Sequence, residues 1–251
     1  MADTRSIDRS ARIHATAEAV WKALTEADEL VRWFAPEARV SPGPDGRVFL
    51  SWGPGMEGES RIAIWDPPRH LRIEFGKHPS GMPLYVDFFV GAEGEEAVVR
   101  LVHSGFAVGA DWDEEYDSHG RGWAIFLDNL THYLERHAGQ PCRQSIFMRA
   151  TDLTREEAWD RFVARSGLER DGDTVRLTTP AGQLAGRVGI FAPARDLTLT
   201  VPALADARLN LSFERSTGGA LFYGVLLSYG LDAAAAEDVR RGLQEVLDGI
   251  K

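Results

Sequence analysis

The sequence predicts an α+β protein of two successive domains, each an antiparallel sheet curved around a long helix at its C-terminal end. Residues 118–138 carry the clearest helical signal, with Ser118 or Asp117 placed to cap the start and Gly139 and Pro141 to end it. Large apolar side chains recur there at steps of three and four: Trp123, Phe126, Leu127, Leu130, Tyr133 and Leu134. Short segments of alternating polarity precede this helix, as a half-buried sheet requires.

The first half predicts one strand, two helices and then five strands. The first strand covers residues 7–14, and Thr16 stands where the cap of a first helix is expected. Trp33 and Phe34 mark a second, short helix, and residues 40–46 are rich in turn formers. The later strands are predicted at residues 47–52, 58–65, 71–75, 84–90 and 97–104.

The second half repeats this order in a shorter form. After a linker at residues 139–143, Thr154 and Glu157 have the spacing of a capping box, and Asp232 is placed to cap a last helix. Strands are predicted at residues 145–149, 174–178, 184–191, 197–201, 207–213 and 220–229. The predicted domains are residues 1–138, with a cavity, and residues 145–251, a shorter and degenerate copy.

The spacing of corresponding residues supports this repeat. Trp21 lies 46 positions before Pro67, whereas Trp159 lies 34 positions before Pro193, so the second half is shorter there by 12. That difference is about the length of the short second helix. We therefore predict a duplication in which the second copy lost that helix.

Composition and charge limit the kinds of partner. The chain has 251 residues, 44% hydrophobic and 26% charged, which is typical of a globular protein. A net charge of −10 repels a phosphate backbone, so we expect no nucleic-acid partner. No segment is apolar for long enough to cross a bilayer, and residues 1–10 lack the apolar stretch of a secretion signal, so no membrane insertion is expected. The single cysteine, Cys142, excludes an intrachain disulfide and favours a cytoplasmic location.

Several separated motifs resemble one known family. They are ATAEAVWKALTEADELVRWF, WDPPRHLRIEFG and LVHSGF, followed by the helix GRGWAIFLDNLTHYLE. In this order they are similar to the START-like helix-grip (SRPBCC) superfamily, and within it to the activator-of-Hsp90-ATPase homologue group. The resemblance covers residues 7–138, and the second half is similar in outline only. It implies a cavity between sheet and long helix that often holds an apolar or amphiphilic small molecule, without fixing one activity.

The candidate ligand-binding residues are mostly large aromatic side chains. Each alone is more typical of a core, but so many rings in a small sheet are difficult to pack without leaving a space. Trp112 and Tyr116 precede the long helix and are expected to cover one end of the cavity as a mobile flap. The full set is Trp33, Phe34, Phe49, Trp52, Ile64, Phe75, Phe88, His103, Trp112, Tyr116, Trp123 and Phe126.

His103 is the candidate with the most chemistry. It shares a strand face with Val99 and Leu101, which we expect to point into the cavity. There it either orients a polar group of the ligand, acts as a general base, or is a structural histidine bonded to a neighbour. No nucleophile or acid pair is positioned by spacing, so no catalytic residue and no cofactor is assigned.

The segment before the long helix contains five acidic residues: Asp111, Asp113, Glu114, Glu115 and Asp117. A calcium-binding EF-hand loop that began at Asp111 would need glycine at its sixth position and glutamate at its twelfth. Tyr116 and Gly122 stand there instead. We therefore expect no metal site, and interpret the acids as favourable neighbours of the positive helix end.

Three functional hypotheses remain open at this point. The first is non-enzymatic binding of a small hydrophobic or amphiphilic ligand in the first domain. The second is a co-chaperone-like module that contacts a protein partner through its outer sheet face. The second domain is expected to be mainly structural, by packing on the first domain or by forming a dimer surface with Phe222, Tyr223 and Tyr229. The third is an enzyme of cyclase or hydrolase type that uses His103. A cavity favours the first and third hypotheses, whereas a filled core with an exposed apolar patch favours the second.

Overall fold

Two seven-stranded antiparallel sheets, one in each half of the chain, form the framework of the protein. The computed structural model describes residues 4–77, 81, 83–109 and 112–250. The chain divides into two units between Gly139 and Gln140. Each unit wraps its sheet around a C-terminal helix, which confirms the predicted α+β fold of two helix-grip domains.

The first domain begins with a strand and two helices and continues as a meander that leads to its long helix. Thr16 caps the first helix, because its hydroxyl accepts a hydrogen bond from the amide of Ala19 at 3.1 Å. The strand order across the sheet is β1-β7-β6-β5-β4-β3-β2. The elements are β1 (Thr4–Ile13), α1 (Ala17–Thr25), α2 (Ala27–Trp33), β2 (Glu37–Ser41), β3 (Arg47–Ser51), β4 (Glu57–Asp66), β5 (His70–Lys77), β6 (Pro83–Glu93), β7 (Glu96–Ala107) and α3 (Asp113–Arg136).

Helix α3 lies against the inner face of the first sheet. Alternate residues of the central strands point inward, and Leu71, Val86 and Leu101 are each at most 1% exposed. On the helix side, the ring of Trp123 lies 5.9 Å from that of Phe88. The aromatic stripe of the sequence therefore faces the sheet, as the periodicity predicts.

The second domain has the same strand order with one helix fewer. Its sheet runs β8-β14-β13-β12-β11-β10-β9, and a single helix connects β8 with β9. The predicted capping box of Thr154 and Glu157 and the Asp232 cap are both present. The elements are β8 (Cys142–Thr151), α4 (Arg155–Ser166), β9 (Glu169–Asp171), β10 (Thr174–Thr179), β11 (Gly182–Ala192), β12 (Asp196–Val201), a 3₁₀ turn (Pro202–Leu204), β13 (Ala207–Ser216), β14 (Gly219–Tyr229) and α5 (Ala233–Asp248).

The start of α3 differs from the prediction. The helix begins at Asp113, so the predicted caps Asp117 and Ser118 lie inside it. Asp113 pairs with Arg5 of β1 at 2.5 Å, and the acidic side chains of the first turn stand at the positive helix end. The helix is therefore longer at its start than the local sequence predicts, because contacts with the distant strand β1 stabilise the additional turn.

Three further details were not predicted. Strands β2 and β9 lie at the edges of their sheets, where short polar strands are common and give little hydrophobic signal. Phe222 is 2% exposed and lies 4.7 Å from Phe213 in the second core, ring to ring. Phe222 is therefore a core residue, and so is Tyr229, which is 1% exposed, so the expectation that these two side chains form part of a dimer surface is wrong.

Candidate functional site

An apolar cavity lies between the sheet and α3 of the first domain. The space open to water inside it is about 30 Å³. One water needs about 10–15 Å³ of such space, so the cavity has room for about two waters. Apart from Ser60, every described side chain of the lining is aliphatic or aromatic. The lining consists of Leu24, Leu30, Trp33, Phe34, Val48, Leu50, Ser60, Ile73, Phe75, Val86, Phe88 and Trp123.

Phe34 stands at the centre of the aromatic wall. Its ring centroid lies 5.0 Å from that of Trp33, 5.4 Å from Trp52, 5.9 Å from Trp123 and 4.4 Å from Phe126. The indole of Trp52 also donates a hydrogen bond to the Phe34 carbonyl at 3.2 Å. The residue thus joins α2, the end of β3 and α3, and the structure brings these five predicted site residues together.

His103 is fully buried beside this cavity, on the inner face of β7. Its Nδ1 lies 3.0 Å from the indole Nε1 of Trp123. Because an indole N–H is a donor only, Nδ1 must accept, and the neutral imidazole therefore carries its proton on Nε2. Burial lowers the pKa of His103 to about 3, with a smaller contribution from the neighbouring His119. The side chain is a neutral hydrogen-bond donor at neutral pH, and a weak base.

The surroundings of His103 are aromatic. Ring centroids of Phe75, Phe106 and His119 lie 5.3, 4.6 and 5.1 Å from its own. His119 is held by a 2.9 Å hydrogen bond from Nδ1 to the carbonyl of Glu115, one turn earlier in α3. The histidine therefore lies among apolar ring surfaces, with a single second imidazole as polar neighbour within this group.

Two predicted wall residues, Phe49 and Ile64, point away from the cavity. Phe49 lies between Val48 and Leu50, which both line it, and the Arg39 guanidinium covers its ring at 3.7 Å. A register shift between Ile62 and Ile64 pairs Ile64 with Arg72 on the outer face. The expectation that these two side chains form part of the cavity wall is therefore wrong.

Trp112 and Tyr116 belong to the start of α3 and are not a separate flap. Trp112 is 6% exposed and stands edge-on to Phe106 at 6.2 Å. The Tyr116 hydroxyl donates to the Ser6 carbonyl at 2.9 Å, and the Arg5 guanidinium lies 4.2 Å from its ring centroid. Tyr116 thus fixes the helix start on β1 and Trp112 packs it on β7, and neither is part of the cavity lining.

Some residues of the site carry too little sequence signal to single them out. Leu50, Ser60 and Ile73 line the cavity from β3, β4 and β5, and strand alternation alone could have identified Ile73. On the outer face, Asp87 is 2% exposed and accepts hydrogen bonds from His70 Nε2 and Arg72 Nε, both at 2.7 Å. This buried ion pair appears only once β5 and β6 are placed in register.

The described residues contain no group of three or more histidine, cysteine, aspartate or glutamate side chains that could hold a metal ion. Asp111, where the rejected EF-hand loop would begin, lies outside the described residues. Within the same part of the chain, no helix combines the length and hydrophobicity needed to cross a bilayer.

Comparison with known proteins agrees with the fold of the first domain. Residues 14–135 match the family model described as Activator of Hsp90 ATPase homolog 1-like protein. The resemblance inferred from the sequence is therefore confirmed. No curated protein matches the chain.

Solved structures similar to this chain include proteins of one and of two domains. The Aha1 dimer from Colwellia psychrerythraea is 22% identical, with a TM-score of 0.48, over 54% of this chain and 99% of that chain. CalU16 from Micromonospora echinospora is 25% identical, with a TM-score of 0.43, over 52% of this chain and 76% of that chain. The di-domain ARO/CYC BexL from the BE-7585A biosynthetic pathway is 17% identical, with a TM-score of 0.47, over 98% of both chains.

Proposed function

We propose that the first domain binds a small hydrophobic or amphiphilic molecule between its sheet and α3, without catalysing a reaction. The observation that carries this proposal is the cavity itself, whose lining is apolar except for Ser60. Such surface binds by removal of apolar area from water, at about 25 cal/mol for each Å² buried. His103 also fits binding better than catalysis, because a base with a pKa of about 3 accepts protons poorly at neutral pH.

Ligand entry requires that side chains move. The cavity holds about two waters, which is far less than the several hundred Å³ of a typical small-molecule site. Leu50, Ser60, Ile73 and Phe75 are the half-buried members of the lining, and they lie on β3, β4 and β5. The proposal therefore places the entrance at this edge of the sheet, and ligand binding there selects a more open conformation.

A matched pair of variants tests this proposal. Ser60→Phe places a ring at the entrance, and Thr178→Phe makes a similar change at an exposed strand position of the second domain. We expect titration with the fluorescent apolar probe N-phenylnaphthylamine to show one saturable site, weakened at least tenfold by Ser60→Phe alone. Circular dichroism checks that both variants fold. Unchanged binding in Ser60→Phe would contradict the proposal.

A second candidate is a co-chaperone-like interaction, which the description of the matched family favours. The outer sheet face carries Arg72 over Tyr85 and Arg100 over Phe89, at 5.4 and 6.0 Å from guanidinium carbon to ring centroid. Arginine and aromatic residues are enriched at protein interfaces. Stimulation of Hsp90 ATP hydrolysis by the chain, lost in an Arg72→Ala/Arg100→Ala variant, would support this candidate. The proposed setting for either function is the cytoplasm, and a homodimer stays a prediction to be checked by light scattering.

A further inference from the structure

The buried imidazole of His103 has one donor that no described residue accepts. Nδ1 accepts the Trp123 indole hydrogen bond, so the proton lies on Nε2, and Nε2 has no hydrogen-bond partner among the residues that the structure describes. Buried polar atoms are satisfied in the great majority of cases, and an unmade hydrogen bond of this kind destabilises the fold. An unpartnered donor beside a cavity therefore indicates a group that is supplied from outside.

Three residues that line the cavity also adjoin His103. Val86 is its direct partner on the neighbouring strand, Trp123 donates the hydrogen bond to Nδ1, and the Phe75 ring lies edge-on at 5.3 Å. His103 is thus one layer behind the cavity wall. Phe75 is half-buried, so its ring has more freedom to move than those of the fully buried neighbours.

We propose that His103 is the polar recognition point of the first-domain site and donates its Nε2–H to an oxygen of the bound ligand. This inference rests on the proposed ligand-binding function and names the class of ligand. The ligand is an uncharged molecule with an apolar body and a carbonyl or hydroxyl oxygen at one end. Rotation of the Phe75 ring joins the cavity to His103 and admits that oxygen.

Charge and tautomer explain why the ligand is uncharged. At neutral pH the imidazole is neutral, because burial holds the pKa of His103 at about 3. The described residues of the lining include neither lysine nor arginine, so a ligand anion would lose its hydration without gaining a cation from them. The Trp123 indole fixes the tautomer, which leaves a donor and no acceptor at Nε2.

Two compounds of the same shape test the inference on the full-length chain. Acetylnaphthalene carries a carbonyl oxygen where isopropenylnaphthalene carries a methylene group, so their affinities differ by the contribution of the acceptor. We expect the ketone to bind about tenfold more tightly to the unmodified chain, the effect of one hydrogen bond to a buried donor. Nitrogen-15 NMR of labelled histidine should show the His103 Nε2 resonance shift with the ketone only.

Variants of His103 provide the control. In His103→Leu the preference for the ketone should fall to about onefold, whereas His103→Gln retains a donor and should keep part of it. If the compounds bind the unmodified chain equally, or not at all while N-phenylnaphthylamine binds, the inference is wrong and the proposed function stands. A preference that persists in His103→Leu overturns it as well. Failure of all three compounds to bind overturns the proposed function itself. Should His103→Leu not fold, the NMR shift and His103→Gln still decide.

Discussion

The two domains share one strand order and differ in what lies beneath the long helix. Equivalent positions follow from a shared turn, since the Arg69 carbonyl accepts from the Val90 amide at 2.9 Å and the Arg195 carbonyl accepts from the Phe213 amide at 2.8 Å. Val90 and Phe213 are thus equivalent, and so are Val86 and Leu209, which lie four residues before them. Val86 pairs with His103 on the next strand, and Leu209 pairs with Leu226. The place of His103 is therefore taken by leucine in the second domain.

The neighbouring position shows how the second core fills this region. Pairing in the same registers makes Gly224 the equivalent of Leu101. A Cβ atom on Gly224 would lie 2.2 Å from the Phe147 ring, so that ring covers the glycine. In the first domain α2 contributes Leu30 and Trp33 to a cavity lining, whereas the second domain has no second helix at this point in its chain. The comparison teaches that a few residues set the packing at this place in the fold: Leu101 and His103 in the first domain, and Leu226 and Gly224 under the Phe147 ring in the second.

The largest expected effect is a loss of stability in the second domain, where the Phe147 ring covers Gly224. Gly224→Ala places a methyl group against the Phe147 ring, and overpacking of this kind costs up to about 3 kcal/mol. Hydrogen exchange followed by mass spectrometry should show reduced protection in β14 and α5. Gly91→Ala is the matched control, because its strand position has no atom within 4 Å of a new Cβ. Equal loss of protection in both variants would contradict the contrast.

Because His103 in the first domain is replaced by Leu226 in the second, we expect its contribution to the pH dependence of stability in the first domain only. Burial lowers the pKa of His103 to about 3, whereas an imidazole in the unfolded chain has a pKa of about 6.5. Between these values the unfolded state binds the proton more readily, so stability is lost as the pH falls below about 6.5. Each pH unit costs about 1.4 kcal/mol, which gives about 2 kcal/mol at pH 5.

Urea unfolding at pH 7 and pH 5 measures this effect. Six of the seven tryptophans lie in the first domain, so a Trp159→Phe background makes fluorescence report on that domain. The stability difference between the two pH values should shrink by about 2 kcal/mol in His103→Leu. The same difference with and without His103 would show that the histidine is protonated or hydrated in the folded state, against the structure.

Local signals allowed the sequence to predict the caps and the helical stripe. An N-cap depends on residues two or three positions apart, and Thr16, Thr154 and Asp232 all cap the helices they were expected to cap. The start of α3 depends instead on Arg5 and Asp113, which are 108 positions apart. No periodicity within the helix reports such a contact.

Errors in the predicted cavity wall have equally specific causes. Val48, Phe49 and Leu50 form an apolar run without alternation, so the sequence does not indicate which side faces the cavity. Ile64 follows a register shift, which reverses the face expected from a two-residue period. The unpartnered Nε2 of His103 depends on the tautomer that Trp123 imposes, and this requires two elements to be placed together.

The smallest effects test whether the domains lose structure separately. In the second domain the Thr154 hydroxyl accepts from the Glu157 amide at 3.2 Å, and the Glu157 carboxylate accepts from the Thr154 amide at 2.9 Å. In the first domain Thr16 caps with one hydrogen bond, from the Ala19 amide. The Thr154 hydroxyl also donates to the Glu157 carboxylate at 2.7 Å, so Thr154→Ala removes two hydrogen bonds and Thr16→Ala removes one. We therefore expect Thr154→Ala to cost about 1.5 kcal/mol and Thr16→Ala about 1 kcal/mol.

Hydrogen exchange in α1 and α4 separates these effects. Thr154→Ala should reduce protection in α4 and leave α1 unchanged, and Thr16→Ala should do the reverse. Glu157→Gln is the control, because glutamine retains an acceptor for the capping box and should change protection little. If Thr154→Ala loosened α1 as much as α4, the two domains would unfold as one cooperative unit. Each of the predicted stability changes would then belong to the whole chain and not to a single domain.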